Sequence, residues 1–288
     1  MHKVSVENRE LSLKPITDHD INQTITLLNR GFTGYTVNIH FDRHLFYHIL
    51  KADGIDLNHS RIVLCDGEPA AIALIATRGW TSRLATMAIV PERRGQGIGT
   101  WFMQQLIADA RVREEQQMAL EVIASNRPAV RLYQRCGFET RRRLLSYRLA
   151  QQPAPQPAPP KNVVFEEVDL RLLAHTIIQH GLSDLPWQIS GESLAQTGPP
   201  HRAYHWQGCT IGLSDPSKET INIRSIVVEP QQRGQSIATA ALTAIIAQYP
   251  NKEWRISAHC PEELRGLFER VGFVEEPLSQ LQMFRVLV

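Results

Sequence analysis

The segment Val90-Pro91-Glu92-Arg93-Arg94-Gly95-Gln96-Gly97-Ile98-Gly99-Thr100 constrains the fold of this 288-residue chain more than any other. An apolar run from Leu84 to Val90 leads into it, and an amphipathic segment beginning at Trp101 leads out. That order reads as strand, glycine-rich turn, helix N-terminus. A helix start carries unpaired backbone N–H groups and the positive end of the helix dipole, so such a turn suits an anion, phosphate above all. Gly95, Gly97 and Gly99 let a ligand approach the backbone where a Cβ would collide. Two phosphate patterns do not fit. The P-loop ends in Gly-Lys-Ser/Thr, whereas Thr100 follows Gly99 directly. The dinucleotide fingerprint places glycines first, third and sixth, and here they fall first, third and fifth. What fits is Arg-x-x-Gly-x-Gly, spelled by Arg94, Gly97 and Gly99.

A length of 288 residues exceeds the usual single domain and suggests two, each able to bury its own core. The net charge of +2 is too small to imply a nucleic-acid partner or an acidic membrane surface. The first residues have no apolar core of the kind an export signal needs, and the longest uncharged stretch, Gly234 to Asn251, is too polar and short for a membrane span. A cytoplasmic location is expected. Cys65, Cys136, Cys209 and Cys260 show no metal-ligand spacing and read as free thiols, so no metal is expected.

Along the chain, Leu11 to Ile16 alternates like a strand, and Thr17, with Asp20 three residues on, reads as the cap of a first helix carrying Ile21, Ile25 and Leu28. An aromatic- and histidine-rich region follows from Phe32 to Leu57, with a helix expected over Asp42 to Leu50. Its histidines lack Cys or carboxylate partners at ligand spacing and read as surface and pocket-lining residues. Arg61 to Cys65 and Ala70 to Ala76 flank Asp66-Gly67, a hairpin signal. Arg83 to Val90 is the strand that delivers the chain to the loop. Met118 to Ile123 is a further buried strand, and Asn126-Arg127-Pro128-Ala129-Val130-Arg131-Leu132-Tyr133-Gln134-Arg135-Cys136-Gly137-Phe138 is a capped helix, with Asn126 as N-cap and Gly137 at its left-handed end.

The two motifs together, Arg94-x-x-Gly97-x-Gly99 and the Asn126, Ala129, Tyr133, Gly137-Phe138 series, resemble the GNAT superfamily of acyl-CoA-dependent N-acyltransferases. The resemblance covers roughly residues 10 to 150. After it comes a Pro/Ala/Gln stretch, residues 151–161, expected as a semi-rigid spacer. The second half repeats the first in outline. Arg94-Gly95-Gln96-Gly97-Ile98-Gly99 returns as Arg233-Gly234-Gln235-Ser236-Ile237-Ala238, Tyr133 as Phe268, and Asn126 as Pro261. The expected architecture is thus α/β, with a mixed sheet in each of two tandem GNAT-type domains: residues 1–150, active, and 162–288, a degenerate copy with a structural or substrate-shaping role. The helix from Ile237 to Ala247 is apolar on nearly all sides, which calls for burial against the first domain or a second subunit, so a homodimer is one expectation.

The resemblance implies acetyl-CoA as cosubstrate and a small-molecule or peptide amine as acceptor. It places the thioester and pantetheine along Ala88, Ile89 and Val90, and the pyrophosphate on the amides of Gly95, Gln96, Gly97, Ile98, Gly99 and Thr100 with Arg94 nearby. It also puts Asn126 beside the pantetheine arm. Tyr133 is the expected general acid for the departing thiolate, and Glu121 a candidate base. Phe32, Tyr35 and Trp80 are candidates for the acceptor pocket. The other readings are an acyl-CoA-binding protein without turnover and a pair of active domains.

Overall fold

The computed structural model describes residues 3–6, 9–37, 39–150 and 163–288. The stretch expected as a linker, 151–161, lies outside the described residues. The chain forms two compact units, Met1–Arg141 with Gln282–Val288, and Arg142–Leu281. They are not divided at residue 150, because two long strands cross the boundary. One is the strand after the Tyr133 helix, and the other is the last strand of the chain.

In the first unit the elements are β1 (Lys3–Val6), β2 (Arg9–Pro15), α1 (Ile21–Gly31), α2 (Arg43–Asp53), β3 (Ile55–Cys65), β4 (Glu68–Arg78), β5 (Thr81–Ile89), α3 (Ile98–Val112), β6 (Gln117–Ile123) and α4 (Arg127–Arg135). The strands lie in the order β1-β2-β3-β4-β5-β6, antiparallel up to β5, with β5 and β6 parallel. The cap of α1 is Asp20 and not Thr17. Its carboxylate accepts from Asn22 N at 2.8 Å, while Thr17 lies in the one-turn 3-10 segment before it. Asp42 caps α2 in the same way, accepting from Leu45 N at 2.7 Å, and Gly54 ends that helix in the left-handed region. Asp66 and Gly67 both have positive φ, the two-residue turn that matches strand twist. Ile25 and Leu28 of α1, Phe46 of α2 and Phe41 just before α2 pack on Ile62, Ile72, Leu74 and Ala88 of the sheet. Burying each such large side chain contributes about 1.5–3 kcal/mol.

The chain then enters β7 (Glu139–Leu149), of which residues from Arg142 onward belong to the second unit. That unit adds β8 (Glu166–Val168), α5 (Leu170–His180), α6 (Gly191–Leu194), β9 (Arg202–Trp206), β10 (Cys209–Leu213), β11 (Thr220–Val228), α7 (Ile237–Gln248), β12 (Glu253–Pro261), α8 (Arg265–Arg270) and β13 (Phe273–Val286). Its strand order is β8-β9-β10-β11-β12-β7, with β11 and β12 parallel and β12 and β7 antiparallel. Ile237, Ala241, Leu242 and Ile245 of α7 bury against Tyr204, Ile211, Ile221 and Trp254. From Gln282 on, β13 belongs to the first unit, where Leu287 N donates to Gln116 O at 2.8 Å and Arg111 Nε donates to Leu287 O at 2.9 Å.

Candidate active site

The site starts as a fork between two parallel strands. β5 and β6 keep register from Thr81↔Gln117 to Leu84↔Leu120, and there the register ends, although β5 runs on to Ile89 and β6 to Ile123. Its cause is on the other side of β5. The β4 register jumps from Leu74↔Thr86 to Ile75↔Leu84, leaving Ala85 as an extra residue that bends the strand. The β6-facing backbone beyond Leu84 is thereby released to pair with an extended ligand, as an added strand would. Ala88, Ile89 and Val90 lie on this stretch. Gly31, the last residue of α1, comes so close that a Cβ on it would stand 2.6 Å from the Ala88 Cβ, so only glycine lets α1 rest there.

Beyond Val90 the chain makes a 3-10 turn, Pro91–Arg93, and then the loop. Gly95 and Gly97 have φ of 75° and 78°, a region that disfavours side chains. Gly97 caps α3, and among the described residues no side chain pairs with the first-turn amides, which leaves the N-terminus of this 15-residue helix open to an anion. Gly99 lies where three elements meet. A Cβ there would lie 3.2 Å from Ile89 Cδ1 of β5 and 3.2 Å from Leu132 Cδ2 of α4. Arg94 faces away from this opening. Its Nε donates to Ile89 O at 3.0 Å, and its Nη2 to Gly31 O and Thr33 O, both at 2.9 Å. Gln96 is likewise occupied at its amide nitrogen, which donates to Glu92 O at 2.8 Å.

Tyr133 follows Leu132 on α4 and is 8% exposed, with Phe138 edge-on at 6.0 Å. Burial, and then the neighbouring Tyr35 and Cys136, push its phenol well above the usual tyrosine range, so it stays protonated at neutral pH. Tyr35, in the α1–α2 loop, is near enough to act on that phenol, and Phe32 packs edge-on to Tyr35 at 5.0 Å. Trp80 does not join them. It stands at the turn before β5, 68% exposed. Asn126 caps α4 through Oδ1, which accepts from Ala129 N at 3.3 Å.

Glu121 is the first residue of β6 past the last registered pair, and its Oε2 accepts from Arg83 Nε at 2.7 Å. Arg83 Nη1 meets Asp53 Oδ2, at the end of α2, at 3.0 Å. The Arg83 and Glu121 side chains are only 4% and 3% exposed. Burial alone would lower the arginine's pKa, but Glu121 and Asp53 outweigh it and hold the guanidinium above its usual value. Arg83 and Asp53 were missed in the sequence. A signal existed: each of two adjacent apolar runs, Arg83 to Val90 and Met118 to Ile123, carries one charge, and the charges are opposite.

The second unit keeps the scaffold with different residues at several of the corresponding positions. Its fork is present: β11 and β12 share register only from Thr220↔Glu253 to Asn222↔Arg255, and Arg224 is the extra residue against β10. Arg233 Nε donates to Val228 O at 3.0 Å and its Nη2 donates to His180 O, repeating Arg94. Ser236 takes the glycine conformation at φ 59°. Glu229 stands at the position of Val90, in a polar cavity with Gln232 and Gln235, where a carboxylate opposes an anion. Phe268 is buried without a hydroxyl. Arg142 Nη1 pairs with Glu263 at 3.0 Å and its Nη2 donates to Ser183 O at 3.2 Å, tying together two segments whose counterparts border the first unit's fork.

Among the described residues no group of three His, Cys, Asp or Glu side chains could hold a metal ion, and no helix is long and apolar enough to cross a membrane. Residues 23–138 match the acetyltransferase (GNAT) family model. A 74-residue stretch is 40% identical to N-alpha-acetyltransferase 30 of Schizosaccharomyces pombe, covering 25% of this chain and about half (49%) of that protein. A GCN5-related N-acetyltransferase from Sphaerobacter thermophilus superposes over 98% of this chain and 97% of its own, with a TM-score of 0.67 at 17% identity. A tandem GNAT protein from the clavulanic acid biosynthesis pathway covers 97% of this chain and 99% of its own, with a TM-score of 0.61 at 14% identity. Those two likenesses are of fold, and they extend through both units. Within the first unit of this chain, residues 23–138 are thus similar to the acetyltransferase (GNAT) family.

Proposed function

We propose that this chain moves an acetyl group from acetyl-CoA to a primary amine, in its first unit, with Tyr133 as general acid. The observation that carries this is the meeting at Gly99 of an uncapped helix N-terminus, the end of β5 and the helix bearing Tyr133. The amides from Gly95 to Thr100 would hold the pyrophosphate and the open edge of β5 the pantetheine amides. The thioester supplies an activated acetyl carbon and a thiolate leaving group. As the amine nitrogen bonds to that carbon and the C–S bond breaks, the Tyr133 hydroxyl donates to the sulfur and gives up its proton, then regains one from solvent. The amine's proton leaves through water. Glu121 is the alternative base, although a carboxylate held by a guanidinium is a weak one. Asn126 borders the pantetheine, and Phe32 and Tyr35 line the acceptor side, with Trp80 reached only by a long acceptor. Arg94 shapes the loop.

The second unit is noncatalytic in this reading, supported by Ser236, Phe268, Glu229 and the Arg142 tie. A cytoplasmic location, absence of nucleic-acid and membrane partners, and a homodimer belong to the same proposal. The test is thiol release from acetyl-CoA against amino acids, polyamines, aminoglycosides and peptides, with free peptide N-termini first because the S. pombe relative is named an N-alpha-acetyltransferase. Release with one amine class supports the reading. Tight acetyl-CoA binding without release would make the chain an acyl-CoA-binding protein, and two acetyl-CoA sites per chain would make both units active.

A further inference from the structure

The attraction within a buried ion pair is largely offset by the desolvation of its charges, so the pair by itself is weak evidence for a stabilising role, although removing one partner is costly. Here the almost fully buried Arg83 guanidinium meets two carboxylates, Glu121 and Asp53. Its location is informative. Arg83 lies one residue before the last registered β5–β6 pair and Glu121 one residue after it, so their bond spans the point where the strands part. Asp53 ties the end of α2, the helix on the acceptor side, to the same guanidinium. The second unit serves as an internal control. By register its Asn222 stands where Arg83 does and its Ser257 where Glu121 does, and that is the unit that also lost the loop glycine and the tyrosine hydroxyl.

The geometry points to Arg83 as a positioning residue that fixes the opening of the β5–β6 fork through Glu121 and registers α2 against it through Asp53. This rests on the acetyltransfer reading above. Glu121 then acts through its bond to Arg83 and takes no proton from the amine.

The full-length chain is compared with Glu121→Gln and Arg83→Lys, and with Asp53→Asn should Arg83→Lys fail to fold. The acetyl-CoA dissociation constant should stay within about twofold while kcat falls about 10- to 100-fold, the loss expected of a misplaced reacting pair. The rise of kcat/KM with pH should keep its wild-type midpoint in every variant. Amide hydrogen exchange across residues 119–123 should quicken about tenfold. A Glu121→Gln enzyme whose pH dependence flattens would make Glu121 the base and overturn the proposal. Wild-type kcat in the variants would overturn it too, leaving the triad a structural bond. If the wild-type chain acetylates no amine, the functional reading fails, and the exchange measurement alone decides whether Arg83 sets the fork: quickened exchange supports it and unchanged exchange removes it.

Discussion

Arg94 donates from Nη2 to the Gly31 carbonyl oxygen at 2.9 Å and from Nε to Ile89 O at 3.0 Å, binding the loop, the end of α1 and the end of β5 into one piece. In the second unit Arg233 does the same with His180 O and Val228 O. The same contacts recur although the second loop has Ser236 at the position of Gly97 and Glu229 at that of Val90, so the arginine has a role in loop architecture in both units. Free carbonyls at a helix C-terminus favour a cation, and the guanidinium fork reaches Gly31 O and Thr33 O at the end of α1 together with Ile89 O of β5.

Arg94→Lys therefore loses at least two hydrogen bonds without losing charge. It should lower stability by about 1–2 kcal/mol and weaken acetyl-CoA binding about tenfold. The salt dependence of that binding should stay as in the wild type, which calorimetry at two ionic strengths checks. Arg94→Gln, which removes the charge, should leave the salt dependence unchanged too, and a smaller salt effect in that variant would mean that Arg94 touches phosphate after all.

Ser236 is held at φ 59° where its counterpart Gly97 is at 78°. Ser236→Gly relieves a conformation that costs a side chain about 1 kcal/mol and should raise the denaturant midpoint of the second unit accordingly. It should not create a second acetyl-CoA site, since Glu229 and Phe268 remain.

Much of the site was legible in the sequence, because its parts are local. Gly95, Gly97 and Gly99 announce a turn by their spacing, and Asn126 and Gly137 mark the two ends of the Tyr133 helix. The repeat of Arg233 and Gly234 announced the second copy. What was not legible depends on pairing between distant strands. The fork arises from one extra residue, Ala85, against β4, and nothing in the composition of Leu84 to Val90 shows it. Glu121 read as a candidate base because its bond to Arg83 bridges 38 positions of sequence. The return of Gln282–Val288 to the first unit has no sequence mark, since β7 and β13 are both ordinary strands.

That return predicts the outcome of truncation. A chain ending at Leu281 lacks the partners of Gln116 O and Arg111 Nε and the buried Leu287 side chain. It also loses the last part of β13, Gln282 to Val286, the strand that lies beside β6. Acetyl-CoA binding should be lost and the first unit should melt at lower temperature, by calorimetry, because an open β6 edge and lost apolar burial both destabilise it.

Three tyrosines are buried with raised phenol pKa values: Tyr133 and Tyr204 well above the usual range and Tyr147 up to about 12, each chiefly through burial. A folded-state value above the unfolded one means that the stability is fully present below about pH 10 and is lost as pH rises through the folded values. The denaturant midpoint should hold from neutral pH to about 10 and fall above it, with phenolate absorbance appearing together with unfolding. For the same reason the rate should rise with pH as the acceptor amine deprotonates, with no falling limb from Tyr133 below about pH 10.

Tyr133→Phe removes only the hydroxyl from a buried ring that packs on Phe138, so its effect isolates the proposed acid. With the amine identified by thiol release, kcat for the variant should fall about 100-fold or more while the acetyl-CoA dissociation constant stays within about twofold. A variant that binds acetyl-CoA normally and turns over at the wild-type rate would contradict the assignment of Tyr133 and with it the central claim.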